Sequence, residues 1–379
     1  MSYDAIVIGG GIVGMSTAWH LVRAGARTLL VDRGDTGRAT DAGAGILSPA
    51  TNTRDPDPWQ RLAAFAVEYY PGLIENLEAE QAGETGFAVC GMMIVAVSDD
   101  EREPFDVARR HIFSRRTRRG KPSAEALSEI TSEEARERFP ALADVRGAIY
   151  YRDAARVDGR MLTGALRRAA EARGLVIRET AVEGLRMDND AVTGVITDEG
   201  AFSAANVVIA GGAWSHAFGL QLGVQIPVEP QRGQIIHLGL PPAADTASWT
   251  IVSAVRGHYM VPWPDNRVVV GATRETGSGF DARTTVAGVR EVLGEALRVA
   301  PGLAAAEIRD IRVGLRPYTQ DLLPVLGPVP GRKNVWLATG HGPTGLQLGP
   351  YSGKLIADLI VGNSLPIELD TYRITRFLS

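Results

Sequence analysis

The apolar positions of the first 34 residues follow the order strand, helix, strand. Residues 5–8 form a continuous apolar run, which is typical of a buried strand. Over residues 12–24 the apolar side chains recur at helical spacing, and Gly25 ends the pattern. Residues 28–31 form a second apolar run. Together these segments predict a βαβ unit, in which a helix joins two parallel strands.

Farther along the chain, the pattern predicts more strand than helix. Helical spacing predicts a helix around residues 59–82, and an apolar run predicts a strand over 90–97. Short apolar runs at 175–179, 181–187 and 191–197 are separated by polar breaks and predict a meander that ends in the apolar strand at 206–209. After residue 227, polar residues at intervals along the strands indicate an antiparallel sheet with one covered face. A final helix is predicted at 354–360, after Pro350.

Composition narrows the class of protein and its partners. The chain has 379 residues, which suggests two domains or one large domain. A formal net charge of -4 gives no reason to expect a nucleic-acid or anionic-membrane partner. Cys90 is the only cysteine, so no disulfide can form within the chain. We interpret Cys90 as a small buried hydrophobe and predict no metal site.

The ends and the charged runs predict an ordinary cytoplasmic protein. The first strand begins too early to leave room for a leader segment, and no apolar run is long enough to span a bilayer. The basic run 108–121 is followed at once by acidic residues, which favours a solvated helix face over an anion or membrane contact. Thr131 and Glu134 have the spacing of a capping box. Association between copies of the chain stays open.

The strongest chemical signal is the glycine pattern between the first strand and the first helix. Gly9, Gly11 and Gly14 have the spacing GxGxxG, which permits a tight turn, close approach of a pyrophosphate and close helix packing. The helix N-terminus offers free N–H groups to that pyrophosphate. Asp32 ends the second strand and can accept hydrogen bonds from ribose hydroxyls, whereas Arg33 alone is weak support for a 2'-phosphate. The unit predicts dinucleotide binding and leaves NAD and FAD open.

Several motifs in order resemble the FAD-dependent D-amino-acid oxidase family, in its glycine oxidase, sarcosine oxidase and D-amino-acid dehydrogenase branch. They are GGGIVG, AGAGILSP, VVIAGGAWS, PQRGQ, YMVPW, VVVGATRE, GLRPYTQDLLPVLG and ATGHGPTGLQLGP. The resemblance implies FAD and an α/β fold, with a Rossmann-like FAD-binding domain interleaved with an α+β substrate domain on an antiparallel sheet. The implied ranges are 1–85, 145–225 and 314–379 for FAD, and 86–144 and 226–313 for substrate.

The resemblance also implies site residues. Arg316 in GLRP matches the arginine that binds the substrate carboxylate, and Tyr259 matches a tyrosine on the substrate side. Arginine suits this role because its planar fork pairs with both carboxylate oxygens. Besides the three glycines, the expected FAD contacts are Ile12, Val13, Asp32, Arg33, Ala39, Thr40, Ala44, Gly45, Ile46, Val182, Gly340, His341, Gly342, Pro343, Thr344, Gly345 and Leu346.

The implied reaction is oxidation of the C–N bond of a small amino acid or N-methyl amino acid by hydride transfer to flavin N5. The imine product would hydrolyse to an oxo acid, and oxygen or another acceptor would reoxidise the flavin. Three alternatives remain. They are a dehydrogenase subunit that uses a non-oxygen acceptor, a 2-hydroxy-acid or glycerol-phosphate oxidoreductase of the same fold, and a non-enzymatic flavin- or nucleotide-binding module, against which Arg316 argues. Pro343 stands where a glycine oxidase carries an arginine, which argues against glycine itself as substrate.

The first testable prediction concerns how the flavin is held. Sarcosine oxidases attach it to a cysteine shortly after the motif arginine, whereas here Arg316 is followed by Pro317, Tyr318 and Thr319. We therefore expect noncovalent FAD that is released when the protein is precipitated with acid or denaturant. Flavin absorbance that stays in the washed pellet would contradict this.

Overall fold

The computed structural model describes residues 2–53, 56–119 and 122–378. Its helices over these ranges are α1 Ile12–Arg23, α2 Asp57–Ala79, α3 Arg102–Arg119, α4 Ser132–Arg138, α5 Gly159–Ala172, α6 Gly219–Leu222, α7 Val286–Val299 and α8 Gly345–Ile360. The first half of its strands are β1 Ser2–Ile8, β2 Thr28–Val31, β3 Ile46–Leu47, β4 Ala88–Val89, β5 Met92–Ala96, β6 Leu127–Glu129, β7 Gly147–Tyr151, β8 Ala155–Arg156, β9 Val176–Arg178 and β10 Val182–Asp188. The remaining strands are β11 Ala191–Thr197, β12 Gly200–Ile209, β13 Glu229–Gly239, β14 Ile251–Ala254, β15 Tyr259–Trp263, β16 Arg267–Gly271, β17 Glu275–Thr276, β18 Glu307–Tyr318, β19 Val325–Pro328 and β20 Val335–Thr339.

The first sheet has eight strands and is built around the predicted βαβ unit. Its order is β10-β11-β12-β1-β2-β9, with β20 also on β12 and β19 on β20. β1 pairs in parallel with both β2 and β12. β2 is buried throughout, and β1 and β12 are buried over residues 5–8 and 207–209, as expected where strands are covered on both faces. The predicted meander is correct for β10, β11 and β12. It is wrong for residues 175–179, because β9 pairs in parallel with β2 at the opposite edge.

The second sheet has nine strands and holds the substrate-side motifs. Its order is β17-β13-β16-β15-β14-β5-β7-β6, with β18 also on β13. The long antiparallel pairing of β13 with β18 joins the segments PQRGQ and GLRP along their whole length. The mixed α/β fold with two sheets agrees with the predicted fold class, and the division into two domains stays a prediction. One segment departs from it: β7 lies in the range predicted for the FAD domain, yet it pairs with β5 and β6.

Local predictions are confirmed in part. The Thr131 hydroxyl accepts a hydrogen bond from the Glu134 amide at 3.2 Å, and the Glu134 carboxylate accepts one from the Thr131 amide at 2.7 Å, so the capping box is confirmed. Cys90 is half-buried and lies in the turn before β5, not inside the strand as predicted. The basic run 108–121 continues α3, and its last two residues lie outside the described ranges.

The described ranges contain no helix that is long and apolar enough to cross a membrane. They also contain no group of three or more His, Cys, Asp or Glu side chains able to hold a metal ion.

Helix α8 packs directly against α1 through two glycines. A Cβ atom on Gly353 would lie 2.7 Å from the Thr17 amide nitrogen, and one on Gly349 would lie 3.0 Å from the Ile12 side chain. The sequence predicted that the last helix begins after Pro350. This start is wrong, because α8 begins at Gly345 and includes the proline. Gly349 and Gly353 permit helix packing rather than the approach of a cofactor.

The proline inside α8 is accommodated by a side chain from α2. Pro350 has no N–H group, so it cannot donate to the carbonyl of Leu346 one turn earlier. The Tyr70 hydroxyl donates to that carbonyl instead. The Ser16 hydroxyl of α1 donates to the Pro350 carbonyl at 2.8 Å. These bonds fix the first turns of α8 against both α1 and α2.

Because α1 and α8 are in close contact, a single methyl group added at Gly353 should lower the stability of the protein. Gly353→Ala should lower the free energy of unfolding by about 1–3 kcal/mol, because the new Cβ has no space beside α1. Chemical denaturation followed by circular dichroism measures this change.

Gly294→Ala is the matched control. Gly294 also lies inside a helix, α7, but a Cβ there has no neighbour within 4 Å. This change should raise the free energy of unfolding by about 0.5–1 kcal/mol, because alanine favours the helix. Equal effects of the two substitutions would contradict the packing argument.

Candidate active site

A cavity of about 990 Å³ lies where the two sheets meet. Its walls come from the turn after β1, the segment after β2, the start of α8, and strands β13, β15 and β18. All the predicted site residues line it except Gly14 and Gly340. The structure therefore brings together segments from both ends of the chain, although the individual roles of these residues stay predictions.

The GxGxxG turn forms one end of the cavity. Gly9 has a φ of +107°, and a Cβ there would lie 2.5 Å from the Ala210 carbonyl oxygen. A Cβ on Gly14 would lie 1.9 Å from the Gly9 oxygen, so this glycine packs inside the turn rather than lining the cavity. The Ile12 amide, in the first turn of α1, donates to the Thr40 hydroxyl at 3.0 Å. The rest of this helix end faces the cavity, where the helix dipole favours an anion.

Asp32 ends β2 at the same end of the cavity. Its carboxylate accepts hydrogen bonds from the amides of Gly10 and Gly34, the second at 2.6 Å. Arg38, which the sequence reasoning missed, lies 3.5 Å from Asp32. Arg33 is exposed and forms an ion pair with Asp35 at 2.5 Å. The Asp32 carboxylate is therefore held in place by the chain itself.

The segment 39–46 and the start of α8 form the middle of the cavity. Gly45 has a φ of +77°, and a Cβ there would lie 1.7 Å from the Val157 oxygen. A Cβ on Gly43 would lie 2.6 Å from the Leu346 side chain, which shows how closely the two segments pack. The Thr344 hydroxyl accepts a hydrogen bond from Trp59 Nε1 at 3.1 Å. Both segments are therefore held rigidly beside the cavity.

His341 carries an unpaired polar atom in this region. Its side chain is only 4% exposed, and Nε2 has no hydrogen-bond partner among the described residues. Burial lowers the pKa of His341 to about 3, so the ring is neutral near pH 7. A buried ring nitrogen without a partner in the wall of a cavity is a contact point for a bound group.

Arg316 and Tyr259 lie together at the other end. Arg316 is on β18, and its Nη1 donates to the carbonyls of Thr273 at 2.9 Å and Arg232 at 3.5 Å. Within the described part of the chain, Arg316 forms no salt bridge, so the structural ion pair that could have explained this residue is absent there. A Cβ on Gly233 would lie 2.2 Å from the guanidinium, so glycine leaves room for it.

The charges behind Arg316 are already paired with one another. Glu275 accepts hydrogen bonds from Arg232 Nη2, Gln234 and the Thr273 hydroxyl, each at 2.7 Å. Hydrogen bonding by Arg232 and its neighbours lowers the pKa of Glu275 although burial opposes it. This network holds the connection between β16 and β17, which carries the Thr273 carbonyl, and through it the position of Arg316.

The sequence reasoning missed several cavity residues. They include Gln231 and Gly233 on β13, Arg274 after β16, Trp214, and Ala108 and His111 on α3. For β13 the missing signal was strand alternation, since residues two apart in PQRGQ face the same side. Arg274 lies three residues after the end of β16, within a motif that had already been noted, VVVGATRE.

These residues fit a bound FAD. The glycine turn and helix end suit a pyrophosphate, the unpaired His341 nitrogen needs a partner, and the cavity is large enough for an extended ligand. Residues at the α1 end would hold the diphosphate and ribose, and those near His341 would hold the ring system.

Comparisons with known proteins support FAD as the cofactor. A family model described as FAD dependent oxidoreductase matches residues 4–359. The chain is 38% identical over 369 residues to an uncharacterized oxidoreductase, YurR, of Bacillus subtilis, with 97% of each chain covered. It is 34% identical over 376 residues to a glycine oxidase of Pseudomonas aeruginosa, with 98% of each covered. The solved iminodiacetate oxidase IdaA from Chelativorans sp. BNC1 is 37% identical, with a TM-score of 0.92, over 97% of this chain and 98% of that one.

The chain therefore belongs to the FAD-dependent oxidoreductase family. The resemblance to the D-amino-acid oxidase family is confirmed, and with it FAD as the cofactor, the fold class and the assignment as a flavin-dependent amino-acid or amine oxidoreductase.

The buried His341 predicts a pH dependence of stability. Because its pKa in the folded state lies below the ordinary value of 6.5, protonation favours the unfolded state. Stability is full above pH 6.5 and falls as the pH decreases toward 3, by about 1.4 kcal/mol per pH unit for this group. Between pH 6 and pH 4, the wild type should lose stability more steeply than His341→Asn by that amount.

Denaturant unfolding of both proteins across this range measures the difference. Parallel stability curves for the wild type and His341→Asn would show that the ring does not titrate as its burial requires.

Proposed function

We propose that the protein oxidises the C–N bond next to the carboxylate of a small amino acid or secondary amine. The observation that carries this proposal is Arg316, a half-buried guanidinium in the cavity wall with no salt bridge in the described ranges. A buried positive charge requires a partner, and a substrate carboxylate supplies one. The glycine oxidase and iminodiacetate oxidase relatives support the same class of substrate.

The residues at this end bind and orient the substrate. The carbonyls of Thr273 and Arg232 occupy Nη1 of Arg316, which fixes the plane of the guanidinium and leaves donors for a carboxylate. Burial raises the pKa of Tyr259, so its hydroxyl stays protonated and can donate to the same carboxylate. When bound, FAD supplies a two-electron acceptor for the hydride that leaves the carbon next to nitrogen.

The proposed reaction does not require a general base from the protein. A neutral amine loses a hydride without a protein base, and water then hydrolyses the C=N bond to an oxo acid and an amine or ammonia. Orientation of the substrate is therefore the main contribution that we assign to Arg316 and Tyr259. Pro343 in the cavity wall favours a substrate larger than glycine, because a glycine oxidase carries an arginine at this position.

The experiment is anaerobic addition of glycine, sarcosine, L-proline, D-amino acids, a 2-hydroxy acid and glycerol phosphate to the FAD-loaded protein. Loss of the flavin absorbance with an amine supports the proposal, whereas loss only with the hydroxy acid or the phosphate ester contradicts it. Admission of air then separates an oxidase from a dehydrogenase. A protein that reduces a dye but not oxygen is the dehydrogenase alternative.

Arg316→Ala should keep FAD bound and lose activity. Removal of a paired charged hydrogen bond predicts a fall in kcat/KM of about 100- to 10,000-fold. Arg312→Ala is the matched control: it lies on the same face of β18, pairs with Asp310 at 2.7 Å, and does not line the cavity. Steady-state kinetics and the flavin spectrum measure both changes. Equal activities of the two variants would show that Arg316 does not bind the substrate.

A further inference from the structure

A second side chain in the middle of the cavity carries an unpaired polar atom. Gln347 lies in the first turn of α8, and it contributes to the cavity wall. The residue is only 5% exposed, and its Nε2 has no hydrogen-bond partner among the described residues. The cofactor contacts expected from the sequence ended one residue earlier, at Leu346, so Gln347 was not among them.

The orientation of the Gln347 amide is determined by the backbone of Ser48. The Ser48 N–H group donates a hydrogen bond to Gln347 Oε1 at 3.0 Å. Because a backbone N–H group can only donate, the amide atom that faces it must be the carbonyl oxygen. The group without a partner is therefore the NH2 group of the side chain, which can only donate.

The two segments that hold this side chain are themselves fixed. On the α8 side, the Tyr70 hydroxyl donates to the carbonyl of Leu346, the residue before Gln347. On the other side, the hydroxyls of Ser48 and Thr51 lie 2.8 Å apart, and the Thr51 hydroxyl donates to the Ser48 carbonyl at 3.1 Å. Rotation of Gln347 toward another partner would break its bond to Ser48. The free NH2 group is therefore held in place.

A buried amide donor without a partner is unfavourable, because it gives up its hydrogen bonds to water when the chain folds. Folded proteins pair nearly all such groups. A leucine at position 347 would fill the same part of the wall without this cost. The free N–H bonds of Gln347 thus indicate a hydrogen-bond acceptor that occupies the cavity in the loaded protein.

We propose that Gln347 positions the flavin ring system of FAD by donating a hydrogen bond from Nε2 to one of its acceptors. The oxidised ring system has two carbonyl oxygens and two unprotonated nitrogens that can accept. Gln347 lies between the nucleotide end of the cavity at α1 and the Arg316 end at β18, which is the place that the ring system must occupy to receive a hydride from a substrate. The inference concerns the cofactor and is independent of the substrate class.

This hydrogen bond should also favour the reduced cofactor. Reduction by two electrons places negative charge on the acceptor side of the ring system, and hydrogen bonds to charged acceptors are about twice as strong as those to neutral ones. We expect the Gln347 donor to stabilise the reduced form about tenfold more than the oxidised form. For a two-electron couple, this factor raises the reduction potential by about 30 mV.

Gln347→Met tests the donor directly. Methionine has a similar length and no N–H group, so one acceptor of the ring system should lose its hydrogen bond. Nuclear magnetic resonance of bound FAD, labelled with 13C at the ring carbonyls and 15N in the ring, should show a changed chemical shift at that acceptor. The reduction potential should fall by about 30 mV, the tenfold factor above. FAD released on dilution, followed by its fluorescence, should show an affinity about 3- to 10-fold weaker.

Gln347→Glu separates the donor from the acceptor of the same side chain. The new carboxyl group can accept from Ser48 in both protonation states, but it can donate to the ring system only when it is protonated. Between about pH 5 and about pH 9 its affinity for FAD, relative to the wild type at each pH, should fall from near equality to that of Gln347→Met or below. A ratio that does not change with pH would contradict the donor role.

Gln60→Met is the matched control. Gln60 is also 5% exposed and lies in α2, but it does not line the cavity. Its substitution should leave the chemical shifts and the reduction potential of bound FAD as in the wild type. The comparison removes the general effect of replacing a buried glutamine.

Unchanged chemical shifts at all four acceptors in Gln347→Met would overturn the proposal, even if the affinity for FAD falls, because a purely structural role can weaken binding without touching the ring system. If Gln347→Met does not load FAD, the pH profile of Gln347→Glu decides. Either result leaves the proposed function intact, since it depends on reduction of the flavin by amines and on Arg316→Ala. If no amine reduces the flavin, the proposed function fails and the spectra of bound FAD still decide the role of Gln347.

Discussion

The close contact between α1 and α8 is the constraint on which the site depends. α1 follows the glycine turn near the start of the chain, and α8 follows the segment 340–344 near its end. Gly349 and Gly353 allow the backbone of α8 to contact the side chains of α1 directly. The N-terminal ends of both helices line the same cavity. The hydroxyls of Ser16 and Tyr70 fix the proline-containing turn that this packing requires.

The second sheet forms the opposite wall of the cavity and carries the positively charged Arg316. Long pairing of β13 with β18 sets Arg316 against Gly233, where only a glycine leaves space for the guanidinium. Arg232 forms ion pairs with Glu275 and Asp281, so the charges of these three side chains neutralise one another. The arginine in the wall is thus held by neutral carbonyls and keeps its charge for a ligand. The residues predicted to bind the cofactor and those predicted to bind the substrate thus line one cavity.

The sequence was most informative where structure is local. The first βαβ unit was predicted to within a few residues, because glycine spacing and apolar runs determine it without reference to distant parts of the chain. Residues 175–179 were assigned to the wrong edge, since an apolar run does not reveal its pairing partner. The packing role of Gly349 and Gly353 was missed because their neighbour, α1, is remote in sequence. Gly233 was missed because its orientation depends on strand register, and Arg274 because it lies in the connection between β16 and β17. The site roles themselves remain predictions.

The bond between Ser16 and Pro350 joins positions 334 residues apart. During synthesis, the apolar face of α1 leaves the ribosome long before its partner helix has been translated. The packing of α1 against α8 therefore forms only after residues 345–360 have been translated. Deletion of α8 would for the same reason destabilise α1, near the start of the chain, as well as removing residues near its end. Until then the apolar face of α1 lacks its partner helix, and exposed apolar surface of this kind promotes aggregation.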